Sequence, residues 1–415
     1  MLRKKIISFA IAALPLVSLG IFAAPINDQH NNKQHHNNQH IVVAPNCLLK
    51  NLGEYHRTLS SNSALSLIET NDQGIHQLIA LKTQRKKICG GFIEATTAFE
   101  KFNAEHFYEK DNAKKFLTEY TLSPETNNNL AYEIQYPTEV NQLISQMNPE
   151  DMWTDLTTLS SFQDRYADGE NGVKAAEWIK TQIETIAKNT GHEDVTVNFI
   201  ETKGYRQPSV VVKIGTSEEP GIVIGGHLDT LSSIRSKKPG ADDDGSGSVT
   251  VLEVARTLLS SGMHFKKPIY LIWYAAEEEG LIGSQNVVSN FKEKNIPISA
   301  VIQFDMTGYA YQNDLTLWLI NDYVDKNLTG YLEKLITAYV KQPVQYTKCG
   351  YACSDHAIWT KNGFVASMPF EAAFGQDDPD IHTSRDTMEK LSLAHMSDYA
   401  KLGIAFAVEL AEPIL

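Results

Sequence analysis

From about residue 133 onward, two periods of apolar positions alternate along the chain. Residues 172–188, GVKAAEWIKTQIETIAK, place Val173, Ala176, Ile179, Ile183 and Ile186 on one face at helical spacing. Short continuous apolar runs lie between such segments. SVVVKIG (209–215), GIVIGG (221–226), PIYLIWYAA (268–276), ISAVIQFD (298–305), DLTLWLI (314–320) and FVASMPF (364–370) read as strands. Helices are predicted over 245–262, closed by Gly262, and over 280–294, 324–341 and 393–411. The alternation predicts an α/β fold: a mostly parallel, mixed sheet covered by helices on both faces. Ligands of such sheets sit beyond the carboxyl ends of the strands. Charged residues are therefore expected just after the apolar runs.

The first 130 residues have a different texture. MLRKKIISFAIAALPLVSLGIFAAP has a basic start at Arg3, Lys4 and Lys5, then an apolar stretch to about Phe22, which reads as a secretory signal peptide cut near Ala23. Residues 27–40, NDQHNNKQHHNNQH, form a polar linker rich in Asn and His. Short apolar runs (HQLIALKT, GGFIEATTAFEKF) then mark a small unit, and the polar stretch SPETNNNLAYE is the candidate boundary. The expected organisation is a signal peptide over 1–23, a small unit over 24–132 and a main domain over 133–415.

With 415 residues, 42% of them apolar, the chain is long enough for a large core. Its net charge of −13 argues against nucleic acid and against anionic membrane surfaces as partners. No run after the signal peptide is long and apolar enough to span a bilayer. Four cysteines in an exported chain, Cys47, Cys89, Cys349 and Cys353, favour two disulfides over a four-thiolate zinc site. Cys349 and Cys353 are close enough for a local bridge, and Cys47 with Cys89 is the remaining pair.

Charged residues do follow the strands. GIVIGG leads into His227 and Asp229, and a loop then reaches Asp242, Asp243 and Asp244 before a helix. YLIWYAA ends in Glu277, Glu278 and Glu279; AVIQF ends in Asp305; DPDIHTSRDT brings His382. Helix capping alone would account for ADDDG, and solvated charge alone for AAEEEG. The joint pattern is more specific. So many carboxylates at one sheet edge repel each other unless a cation neutralises them, and imidazole with carboxylate suits zinc or a similar divalent ion. The three glutamates are thus expected to face metal.

GGHLDT, PGADDDGSGS, YAAEEEGLIGS, QFDMTGY, CGYACSDH and MPFE…IHTSRDT, in order and at near-matching spacing over residues 133–412, resemble the secreted bacterial leucyl aminopeptidases with two zinc ions. The resemblance implies a zinc-exopeptidase-like fold, a secreted protein and a role for each residue by position: Asp243 bridging two zinc ions, His227 and Asp305 completing one ion's ligands, and Glu278 and His382 the other's. It implies Glu277 as general base, Tyr351 as donor to the oxyanion, Asp229 orienting His227, and Ser354 and Asp355 as outer groups. Met306, Met368, Phe370, Phe374 and Ile381 are implied as walls of an apolar side-chain pocket, which suits Leu, Met or Phe at a substrate's N-terminus. Asp377 falls where relatives carry an aromatic residue, which keeps a Lys or Arg preference as the second expectation. The loop from Asp229 to Asp243 is shorter than in relatives. By position and family habit, residues 24–132 are expected to be a pro-region or an accessory domain. The partners implied are peptide or protein N-termini, and the default assembly is a monomer. The alternatives are a glutaminyl cyclase or carboxypeptidase on the same scaffold, with Arg385 the only nearby group for a substrate carboxylate, and a non-catalytic relative.

Overall fold

The computed structural model describes residues 38–82, 90–106, 111–121, 132–233 and 236–415. The expected signal peptide, most of the Asn/His tract, Cys89 and most of the polar boundary stretch lie outside the described residues. Residues 38–415 form one compact unit.

The unit contains a small antiparallel sheet and a large mixed one. Strands β1 (Gln39–Pro45), β2 (His56–Ser61), β3 (Leu65–Asn71) and β4 (Ile93–Glu94) make the small sheet, in the order β2-β3-β1-β4. Its two faces are covered separately. Val42, Ala44 and Ile68 pack with the helix Asp72–Lys82 through Ile75 and Leu78, while Val43, Leu65 and Leu67 pack with Phe116 and Leu117 of Asn112–Thr121.

The large sheet is built from β5 (Val195–Ile200), β6 (Ser209–Ile214), β7 (Gly221–His227), β8 (Ile269–Tyr274) and β9 (Ile298–Gln303). Strands β10 (Leu317–Ile320), β11 (Val344–Thr347), β12 (Ala366–Ser367) and β13 (Pro369–Phe370) follow. The order is β12-β9-β7-β8-β6-β5, with β12, β9, β7 and β8 parallel and β6 and β5 antiparallel. Both faces of the centre are buried. Ile222, Ile224, Leu271 and Trp273 face the helices Glu170–Thr190, Gly247–Ser260 and Leu393–Ala411, and Val223, Ile272 and Tyr274 face Ile282–Glu293 and His356–Lys361. This is why these strands read as unbroken apolar runs.

The structure departs from the sequence reading at the edges. DLTLWLI leaves the main sheet and pairs with β11 and β13 in a separate three-stranded sheet. FVASMPF is divided at Met368: β12 belongs to the main sheet and β13 to the small lateral one. Strand β5 was not anticipated. As an edge strand it alternates partly buried and exposed residues, so no apolar run announces it. On Glu170–Thr190, Ala175 and Ala187 replace Val173 and Ile186 among the fully buried positions. The helix after AAEEEG starts at Ile282, because Gly280 (φ 104°) and Leu281 (φ 63°) first turn the chain in the left-handed region.

No helix among the described residues is long and apolar enough to cross a membrane.

Candidate metal and active site

The carboxyl ends of β7, β8 and β9 point to one edge of the sheet. His227 closes β7, Glu277 follows β8 by three residues, and Asp305 follows β9 by two. Close approach at this edge depends on small residues. A Cβ on Gly226 would lie 3.1 Å from Asp244 Oδ2, the atom that accepts the His227 amide at 2.9 Å. The chain is also bent beside its charged groups. Ala276 (φ 50°), Met306 (φ 63°) and His382 (φ 62°) occupy the left-handed region, a strain that packing must hold and that is common at functional sites.

Asp243 lies at the centre. Its Oδ1 is 3.0 Å from His227 Nε2, and its Oδ2 is 2.9 Å from His382 Nε2. His227 Nε2 is also 3.6 Å from Asp305 Oδ1, and His382 Nε2 is 3.1 Å from Glu278 Oε2. Two donor triads result, His227–Asp243–Asp305 and Asp243–Glu278–His382, each with its donor atoms within 4.8 Å of one another and both sharing Asp243. Carboxylate and imidazole in this combination are a zinc donor set, and one carboxylate serving two triads fits a paired-ion site.

Electrostatics tie the site together. Burial pushes the Asp243 carboxyl up, but His382 and His227 outweigh it and hold it well below the usual carboxylate range. Burial likewise raises Glu278, yet His382 and Lys82 bring it down to about 2. The histidines respond in kind. Burial opposes their charge, but Asp305, Asp229 and Asp243 raise His227 well above its ordinary value, while Glu278 and Asp243 raise His382 to about 9. Metal binding to these groups is coupled to the loss of their protons.

Asp229 organises two elements at once. It lies 3.5 Å from His227 Nδ1 and accepts the backbone amides of Glu277 and Glu278 at 3.0 and 3.1 Å. The AAEEEG turn is thereby fixed against the end of β7. The three glutamates do not all face the metal groups, which corrects the sequence reading. Glu277 and Glu278 line the central cavity, whereas Glu279 is buried on the other side of the turn, 3.4 Å from the Tyr205 hydroxyl. Burial pushes the Glu279 carboxyl up to about 8. Asp242 and Asp244 also point elsewhere. Asp242 accepts the Gly308 amide at 3.1 Å, and Asp244 accepts those of Gly247 and Met306 at 2.8 and 3.1 Å.

The cavity encloses about 460 Å³. Met306, Met368, Phe370, Phe374, Asp377 and Ile381 all line it, together with Tyr351. Asp377 accepts the Gly375 amide at 2.8 Å. Cys349 and Cys353 are bonded to each other beside Tyr351. Ser354 does not reach the cavity; it is fully buried, and its hydroxyl has no hydrogen-bond partner among the described residues. Asp355 accepts from Gln303 Nε2 at 3.2 Å. Arg385 is exposed and pairs with Asp380 at 2.7 Å, away from the cavity.

Sequence reasoning missed several residues that hold the site. Asp386 accepts the amides of Asp242 and Asp243 at 2.7 and 3.2 Å. Arg165, fully buried, donates to the carbonyls of Leu228 (2.7 Å), Pro239 (2.7 Å) and Gly240 (2.9 Å), clamping the segment after His227 to the one before Asp242. Replacing Arg165 by Met is expected to cost at least ~3 kcal/mol, because several buried carbonyls lose their donor together. Urea unfolding of the two proteins measures it.

A mixed sheet whose parallel strand ends gather two donor triads around one carboxylate is the framework of a metallohydrolase. Residues 209–407 match the model of peptidase family M28. A probable leucine aminopeptidase of Trichophyton verrucosum is 33% identical over 307 residues, covering 72% of this chain and 83% of the relative. The crystal structures of Legionella pneumophila LapA aminopeptidase and of LapB from the same organism are 39% and 38% identical, both with a TM-score of 0.81. They cover 91% and 90% of this chain and 100% of their own, a span that reaches into the small N-terminal sheet. The chain belongs to peptidase family M28 and is a zinc-dependent aminopeptidase of the leucyl aminopeptidase group.

Proposed function

We propose that this aminopeptidase holds two zinc ions, one at His227, Asp243 and Asp305 and one at Asp243, Glu278 and His382, and removes large apolar residues such as Leu from peptide N-termini. The observation that carries this reading is the pair of triads joined through the two oxygens of Asp243. When bound, zinc supplies a Lewis acid for the scissile carbonyl and lowers the pKa of water to about 7.

The chain's own residues do the rest. Glu277 enters the cavity beside Glu278 with its backbone tied to Asp229. It takes the proton from the attacking water and passes it to the leaving amine. Tyr351 lines the same cavity and donates a hydrogen bond to the oxygen where negative charge develops. Tyr351→Phe is expected to lower kcat about 100-fold with KM little changed, as steady-state kinetics on leucine p-nitroanilide would show.

Met306, Met368, Phe370 and Ile381 form one apolar cluster with Phe374 packed against it, which supports the Leu-type preference. Asp377 sits in the same wall with one oxygen engaged by backbone. Asp377→Asn is expected to leave the Leu-to-Lys rate ratio nearly unchanged. A large fall in lysine cleavage would instead establish the basic preference.

The protein is read as exported. The expected signal peptide supports this, as do the Cys349–Cys353 bridge and the disulfide-bonded state of Cys47. Residues 24–132 are read as a pro-region, because their described part roofs the cleft. Gly90, Gly91 and Phe92 line the cavity, and a Cβ on Gly90 would collide with the Tyr351 ring. Glu94 donates its amide to the Gly280 carbonyl at 3.2 Å. Hydrolysis of leucine p-nitroanilide but not its N-acetyl derivative, abolished by chelator and restored by zinc, tests the activity. Cleavage of the acetylated substrate would overturn the exopeptidase reading.

A further inference from the structure

The second triad already has a cation against it. Lys82, at the end of the helix Asp72–Lys82, is only 8% exposed, and its Nζ donates to the Glu278 carbonyl at 2.8 Å and to Glu278 Oε2 at 3.0 Å. That same Oε2 lies 3.1 Å from His382 Nε2, so it is the oxygen Glu278 contributes to the triad. The Lys82 carbonyl is 3.4 Å from the other nitrogen of His382. One residue of the N-terminal unit therefore touches two of the three donors. The Phe92 ring closes over the ammonium at 5.6 Å. The first triad is untouched: among the described residues, no hydrogen bond joins the N-terminal unit to His227 or Asp305.

A buried lysine is costly without a partner, and a cluster of buried carboxylates is costly without a cation. Each meets the other's need here. Zinc binds carboxylate oxygen at roughly 2.0–2.2 Å. A divalent ion on Glu278 Oε2 and an ammonium at hydrogen-bond distance from the same atom would repel each other strongly in a site with little water.

We propose that Lys82 competes with the second metal ion, so that the docked N-terminal unit holds the enzyme with one firmly bound zinc and keeps the catalytic pair incomplete. The inference rests on the two-zinc reading above. It gives the pro-region a specific means of inhibition beyond covering the cleft: displacing the unit withdraws the ammonium and opens the second position to metal.

The test is zinc titration of the metal-free full chain against a chromogenic chelator, for the wild type, Lys82→Gln and Lys82→Met. All three are expected to bind the first zinc equally, which also shows that the variants are folded. The second zinc is expected to bind at least about tenfold more tightly in both variants than in the wild type, as removal of one nearby positive charge implies. Adding His382→Ala to Lys82→Gln should abolish that gain. Two zinc ions bound with the same affinities in all three proteins would overturn the role of Lys82 while leaving the two-zinc reading intact. A single zinc in every protein would overturn both.

Discussion

Glu277→Gln is expected to lower kcat/KM for leucine p-nitroanilide by about 1,000-fold, within the range that general acid–base catalysis contributes, while zinc content stays unchanged. The substitution keeps the shape of the side chain and the backbone bond from the Glu277 amide to Asp229. It leaves both triads complete, since Glu277 belongs to neither. What is lost is the carboxylate that accepts and returns the proton. The paired measurement separates the roles. A loss of rate with zinc retained marks a base; a loss of rate together with zinc would make Glu277 a ligand instead.

Asp243→Ala is expected to reduce activity by about 10,000-fold or more, through loss of the water activation and carbonyl polarisation that bound metal supplies. It removes a donor from both triads at once, leaving His227 with Asp305 and His382 with Glu278. Zinc affinity should fall at both positions. Glu278→Ala, by contrast, should spare the first triad and leave one zinc bound. Metal analysis after exhaustive dialysis against a weak chelator distinguishes the two variants. Equal zinc contents would contradict the sharing of Asp243.

The sheet and the donor groups were legible in the chain for a physical reason. Central parallel strands are buried on both sides, so β7, β8 and β9 appear as unbroken apolar runs, and the charged residues that follow them stand out by contrast. What was hidden follows from the same logic. Strand β5 sits at the edge and keeps polar, partly exposed positions. Arg165 bonds backbone carbonyls of separate segments, and no side-chain motif records such partners. Glu279 was read with its neighbours, but beyond the turn at Ala276 only Glu277 and Glu278 line the cavity, and Glu279 meets Tyr205 instead. Lys82 lies 196 residues from Glu278, on a helix beside the small N-terminal sheet, and nothing in the run HQLIALKT shows what it meets.

Anomalous scattering at the zinc edge from zinc-soaked crystals of the full-length Lys82→Gln chain tests the account most directly. Two peaks are expected, both against Asp243, one shared with His227 and Asp305 and the other with Glu278 and His382. A map with no peak at Asp243 would contradict the assignment of this site as the metal centre.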